Sequence, residues 1–355
     1  MNTIRKKSFT GIFVVVFFSY IVFDILALTS HNNDWDVFLH RYETEYVSTD
    51  YLFDAINVFF HKYKIEFETF FRICQFVTYY LIFYTFYRFC NEKFILFTLL
   101  LLTLIAPHIN ILMQYYLGFS VLLLSGVAYI NNMTRTSIAL LVSSIGIHTG
   151  LLIFMPMFYI LYQMRKRVIT SNKLLGHLLL FSLIFFISFN FLFFVAERLG
   201  LGVFVYYKDW EKSSIIAAIF MGLIYYPWFI YSLYIHYKNE KKMGKCFWKC
   251  DKAYRLLLAS NYLPFLFIFL SNFMIIQFRV LEPLLILSFI FIIYSKKYYN
   301  LGKSTVLSLC SLIIFGGLLK YFFLGYIKGG ISEWVEHYTE IVVFNYDSII
   351  LNLFR

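Results

Sequence analysis

The sequence predicts an all-α polytopic integral membrane protein with about 10–11 transmembrane helices, including one short or re-entrant hairpin. Three observations predict it. Of 355 residues, 61% are hydrophobic and only 14% are charged, well below the share of a water-soluble domain. The apolar residues fall into runs of about 20, the length that crosses a ~30 Å hydrocarbon layer. Basic residues concentrate in every second loop, as the positive-inside rule requires of a multi-pass chain.

Taken in order, the apolar runs lie near 9–29, 73–90, 94–111, 113–130, 174–195, 214–235, 256–277, 280–295 and 305–326. Backbone polar groups inside lipid must be satisfied within each segment, so these runs read as helices. The first follows Arg5, Lys6 and Lys7 and is long for a signal peptide, so an uncleaved anchor is expected. The stretch 137–164 has Arg135 before it and Arg165, Lys166 and Arg167 after it. A single crossing would leave one basic end outside. Two short helices with a turn near Gly146–Gly150 keep both ends in the cytoplasm, and the stretch is therefore a re-entrant or shallow hairpin.

This topology puts the N-terminus in the cytoplasm and the C-terminus outside, and most of the 31 Lys and Arg fall on the cytoplasmic side. The formal charge of +11 thus reports topology, and no basic soluble domain exists to carry a nucleic-acid footprint. The most basic loop, 236–255, faces anionic lipid head groups. The polar mass lies outside, above all in the large extracytoplasmic loop 30–72, and chemistry is expected to face outward. Residues 1–355 form one membrane-embedded domain in this reading. Five scattered cysteines make no disulfide framework.

Ionisable groups near hydrocarbon are functional candidates when they face a cavity. His148, at the predicted turn in GIHTG, could exchange a proton, or could be a packing histidine bonded between helices. Arg279 and Glu282, in QFRVLEP at an outer helix end, either pair with each other or leave the guanidinium to bind an anion such as phosphate. Asp34 and Asp36 could supply a base or simply be solvated loop acids. Walker, Rossmann, nucleophile-elbow and HExxH patterns are absent from the sequence, and no cofactor or metal is implied. Outer aromatics such as Tyr207 could stack on sugar rings or anchor at the interface.

Five short patterns follow one another along the chain: Asn33-Asp34 with Phe38 and Tyr42 in the outer loop, Asn110-Ile111-Leu112-Met113-Gln114, Ile147-His148-Thr149-Gly150 with Pro156, Tyr206-Tyr207-Lys208, and Phe278-Arg279. In this order they resemble the EpsG-like branch of bacterial O-antigen and exopolysaccharide polymerases, the Wzy-type proteins. The first is similar to the family's Gly-x-Asp-x-x-x-Tyr pattern, and the second to its Asn-x-x-Arg-Gln motif with Met113 in place of the arginine.

The resemblance implies a glycosyltransferase of the bacterial cytoplasmic (inner) membrane. It would join undecaprenyl-diphosphate-linked oligosaccharide repeat units on the outer face, among membrane lipids, with a chain-length regulator and a flippase as partners and without nucleic acid. It implies Asp34, His148 and Arg279 as catalytic residues, with Gln114, Arg41, Tyr207 and Glu282 binding substrate. Arg279, Arg41 and Arg72 are the outer-side cations available to replace the arginine missing at Met113. Two other classes compete. A membrane O-acyltransferase would place its key histidine in the first span, where Asp24 and Leu28 stand. A lipid-linked oligosaccharide flippase or transporter would show internal repeats with paired broken helices, and only 137–164 is interrupted.

Overall fold

The computed structural model describes residues 35–44, 48–90, 112–166, 171–198, 215–244, 247–270, 277–295 and 298. The predicted spans at 9–29, 94–111 and 305–326 lie outside them, as do Asp34 and Tyr207. The described chain is helical, without strands. It runs as α1 (Trp35–Glu43), α2 (Tyr51–Lys62), α3 (Phe67–Cys90), α4 (Met113–Ile130), α5 (Thr134–Ile147), α6 (Pro156–Lys166), α7 (Ser171–Arg198), α8 (Ile215–Met243), α9 (Lys252–Tyr262) and α10 (Glu282–Tyr294). Short 3₁₀ segments cover Thr149–Phe154, Phe247–Cys250 and Leu263–Leu270, and a π-helical turn, Gln277–Leu281, leads into α10. One described helix, α4, is long and apolar enough to cross a bilayer by length and composition. Two compact units are present: one holds α1–α5 up to Leu152, the other α6–α10 from Ile153 to Leu301.

In the first unit, the segment read as the outer loop 30–72 is largely helical, containing α1, α2 and the start of α3. Its many acids mask an amphipathic pattern: Phe53, Asp54 and Asn57 are the buried side of α2. Tyr42, Phe53, Phe67, Phe70, Phe71, Cys74, Met113, Leu117 and Ile147 form the core. Tyr42 stacks on Phe70 at 5.2 Å between centroids and donates its hydroxyl to the Ile65 carbonyl at 2.7 Å. This closes α1 onto the α2–α3 turn, so the polar end of Tyr42 is satisfied while its ring fills the core.

Helices α4 and α5 are joined by Asn131, Asn132 and Met133, with Asn132 in the left-handed region at φ 63°. Asparagine tolerates that conformation better than other residues with a side chain, which permits so short a reversal. The two helices then pack closely through small residues. Gly118 lies so close to α5 that an added Cβ would come within 3.0 Å of the Ser144 carbonyl oxygen. Further along, Ser125 and Ser137 each donate to the other's backbone carbonyl, at 2.7 and 3.0 Å. Helix α5 stops at Ile147, and His148 is extended at φ −150°, ψ 110°. The interruption falls where GIHTG places it. Pro156 then opens α6, at the helix start where its missing N–H costs nothing.

In the second unit, α8 packs on α10 through Trp228 against Phe289 and through a Ser232–Ser288 hydroxyl pair at 2.7 Å. The far end of α8 is clasped by an aromatic group of Phe247, Trp248, Tyr254 and Tyr298 around His236 and its neighbours. Burial pushes His236 down to about 4, so its imidazole is neutral near pH 7 and its 3.7 Å approach to Glu240 is not an ion pair there.

Candidate functional site

Helix α1 carries Arg41 in its last turn, and α2 begins eight residues after α1 ends, at Tyr51. The connection lays Ser48 and Asp50 beside the first turn of α2, where Asp54 projects into the protein. Arg41 answers that carboxylate directly: Nη2 lies 3.0 Å from Asp54 Oδ1. The pair is largely desolvated, with side-chain exposures of 16% and 4%, which makes its geometry matter far more than that of a surface pair. The other Asp54 oxygen accepts from the Ser48 amide at 2.6 Å and the Ser48 hydroxyl at 2.9 Å. Ser48 Oγ in turn accepts from Arg41 Nη2 at 2.7 Å and from the Asp50 amide at 3.1 Å.

Gln114, in the first turn of α4, extends this network towards the break after α5. Its Oε1 accepts from Arg41 Nη1 at 3.2 Å. Its Nε2 donates to Asp50 Oδ2 and to the Ile147 carbonyl, both at 2.8 Å. The two ends of the amide are thereby assigned: only this orientation gives both a donor to the carboxylate and an acceptor to the guanidinium. The Ile147 carbonyl belongs to the last turn of α5, where no intrahelical partner remains, so Gln114 caps α5 from the neighbouring helix.

Asp50 is the hub. Besides Gln114 it accepts from the Thr149 amide at 2.8 Å and the Thr149 hydroxyl at 3.0 Å, both through Oδ1. The same oxygen lies 3.6 Å from His148 Nδ1, a charge contact if the ring is protonated but too long for a hydrogen bond. In the conformation present, His148 Nδ1 accepts from the Gly150 amide at 3.1 Å. A neutral ring bonded this way carries its proton on Nε2. The imidazole sits edge-on to Tyr115, with centroids 5.3 Å apart. Gly150 is needed beneath it, since an added Cβ would come within 3.0 Å of Cε1 and 3.3 Å of Nδ1.

Arg41, Gln114 and His148, three residues singled out from the sequence, are thus tied into one network. The groups that tie them, Asp50 and Asp54, were not singled out. A signal for them exists: Asp54 and Asn57 interrupt the apolar side of YLFDAINVFF, and an acid on a buried stripe demands a cation or donor. The network contains two carboxylates against one guanidinium, so it is anionic when His148 is neutral. That balance suits holding and accepting protons from hydroxyls better than holding a diphosphate.

Arg279 and Glu282 belong to the second unit. Arg279 is half-buried in the π-helical turn, a distortion common at functional positions, and Glu282 opens α10 fully buried. Glu282 Oε1 accepts from the Tyr225 hydroxyl at 2.7 Å, so its burial is compensated at least by α8. Arg72, read from the sequence as another outer-side cation, is exposed and paired with Glu68 one turn away on α3. Among the described residues no group of three or more His, Cys, Asp and Glu is disposed to hold a metal.

No curated protein and no solved structure matches the chain. A family match, in contrast, covers residues 9–354, nearly the whole sequence and with it every residue of the network just described. The chain belongs to the EpsG family.

Proposed function

We propose that this protein is a surface-polysaccharide polymerase. It spans the cytoplasmic membrane many times as one membrane-embedded domain, with 30–72 on the outer side, and joins undecaprenyl-diphosphate-linked repeat units there. The observation that carries the reading is the convergence of Gln114 and His148 on one carboxylate, Asp50, in a chain of the EpsG family. The membrane placement is supported by the composition and by outward-facing apolar residues of α7, among them Leu180, Phe181, Ile184 and Ile187, which water would not tolerate as a continuous face.

In the reaction, a hydroxyl oxygen of one lipid-linked repeat bonds to the anomeric carbon of the growing glycan. The bond from that carbon to the diphosphate oxygen breaks, and its electron pair leaves with undecaprenyl diphosphate. The hydroxyl proton passes to a base. His148 takes that role in its other tautomer: the ring turns Nδ1–H away from the Gly150 amide and closes the 3.6 Å gap to Asp50, leaving the Nε2 lone pair for the acceptor hydroxyl. Asp34 is the alternative base, with His148 then donating from Nε2 to orient the substrate. Arg279 serves as the cation for the departing diphosphate. Glu282 and Tyr207 contribute to substrate binding, while Arg41 and Gln114 hold the acceptor side in place.

The test is genetic. In cells carrying the protein at matched levels, His148→Ala and Arg279→Ala should each abolish long-chain surface polysaccharide and leave single repeat units on their acceptor. Normal chain length in both variants would remove these residues from the site.

A further inference from the structure

We propose that the cytoplasmic end of α8 is a docking surface for anionic phospholipid head groups, formed by Lys238, Lys241 and Lys242 with Tyr234 and Tyr237. The inference rests on the membrane placement above but not on the polymerase reaction. Two independent features of the fold point to it.

The first is the order of residues along the outward stripe of α8. At about 100° per residue, Leu223, Ile230, Tyr234, Tyr237, Lys238 and Lys241 share one face. The opposite face, Tyr225, Trp228, Phe229, Ser232, His236 and Asn239, is buried in the unit. Leu223, Ile230, Tyr234 and Tyr237 are all exposed. Read towards the C-terminus, the stripe passes from aliphatic to tyrosine to lysine. It covers about 27 Å between Leu223 and Lys241, running from inside the predicted span 214–235 to about 9 Å beyond its end, into the bilayer interface. Tyrosine prefers that interface and lysine the head-group layer beyond it. Lys238 Nζ sits 5.3 Å over the Tyr234 ring, so its stem already lies along the aromatic surface.

The second feature is the fate of the two acids in this basic loop. Glu240 Oε1 accepts from the Trp248 indole at 3.0 Å. Asp251 caps α9 by accepting from the Tyr254 amide at 3.0 Å, and also accepts from the hydroxyls of Tyr294 at 3.1 Å and Tyr298 at 2.7 Å. Both carboxylates are therefore turned to internal donors. Gly244, at φ 90°, ends the helix sharply and reverses the chain so that Trp248 can reach back to Glu240. Lys241 and Lys242 stay exposed, with Lys242 donating to the Tyr298 carbonyl at 3.3 Å. The aromatic clasp thus separates the charges, acids inward and lysines outward, leaving a surface complementary to an anionic bilayer.

The experiment uses the full chain reconstituted in vesicles of equal parts phosphatidylglycerol and phosphatidylcholine. A trace of either lipid carries a photoreactive head group, and labelled peptides are mapped by mass spectrometry. Labelling of the α8 end by phosphatidylglycerol should exceed that by phosphatidylcholine. The triple variant Lys238→Gln/Lys241→Gln/Lys242→Gln should reduce the phosphatidylglycerol labelling about tenfold or more. Excess inorganic phosphate should leave it unchanged. Equal labelling by both lipids, an undiminished signal in the triple variant, or displacement by phosphate would each overturn the proposal. Lys241 and Lys242 are exposed and Lys238 is half-buried along the Tyr234 ring, so the circular dichroism of the variant is read beside the labelling to show that it keeps its fold. The single reversal Lys241→Glu gives a second reading in the same direction, and unaltered labelling there would also count against the surface. Polysaccharide synthesis does not enter the readout, so failure here is distinguishable from failure of the polymerase reading.

Discussion

Removing either partner of the Arg41–Asp54 pair should destabilise the first unit strongly, and removing both should cost less than the sum. Asp54 accepts from Arg41 and twice from Ser48, while Arg41 also donates to Gln114 and Ser48. Asp54→Ala leaves a guanidinium in a mostly desolvated position with only neutral acceptors and strands the Ser48 donors. Breaking a buried pair from one side costs about 3–5 kcal/mol, and the remaining bonds of Arg41 place Asp54→Ala near about 4 kcal/mol. Arg41→Ala leaves Asp54 its two Ser48 bonds, so about 3 kcal/mol is expected. The double variant removes both charges, and the coupling should be about 2 kcal/mol. The assay is detergent-driven unfolding of the purified full chain in mixed micelles, followed by circular dichroism, for the four proteins of the cycle. A coupling below about 0.5 kcal/mol is what an exposed ion pair gives, and it would refute the buried-network argument.

Two further outcomes follow from local geometry. Gly118→Ala and Gly176→Ala gain similar helix propensity, but the Cβ at Gly118 would press on the Ser144 carbonyl, whereas nothing lies within 4 Å of the Cβ at Gly176. Gly176→Ala should stabilise slightly and Gly118→Ala should be less stable than it by about 1–3 kcal/mol, and equal melting temperatures would contradict the close α4–α5 packing. At the other end, His236 binds its proton less readily folded, at about 4, than an ordinary histidine does. The folded state therefore holds fewer protons than the unfolded chain below about pH 6.5, and stability falls as pH drops from there towards 4, by at most about 3 kcal/mol. His236→Gln should flatten that acid slope, and the same slope in both proteins would show that another group is responsible.

The break at His148 was legible in the sequence because its causes are local: glycines on both sides, a proline opening the next helix, and cations at both ends of 137–164. Small residues and the Asn131–Asn132 pair likewise encode the α4–α5 reversal in neighbouring positions. The polar hub was not legible in the same way. Asp50 lies 64 residues from Gln114 and 99 from Thr149, so its importance is created by tertiary contact alone. Asp34 and Asp36 drew attention through their closeness to a span and their fit to a motif. Yet Asp54 carried the better physical signal, an acid on the apolar side of α2. The segment 30–72 read as a loop because its net acidity outweighed the helical period of Phe53, Asn57 and Phe60. Composition averages over both faces of a helix, and the buried face decides whether the helix forms.

The account stands or falls on whether the Asp50–His148 network serves glycan transfer. The most direct measurement supplies the purified full chain in vesicles with undecaprenyl-diphosphate-linked repeat units and follows glycan length on the lipid together with released undecaprenyl diphosphate. Wild-type protein should lengthen the glycan while releasing one lipid diphosphate per repeat added, and His148→Ala should do neither. Elongation that proceeds unchanged in the variant, or wild-type protein that moves or modifies the repeat units without lengthening them, would contradict it.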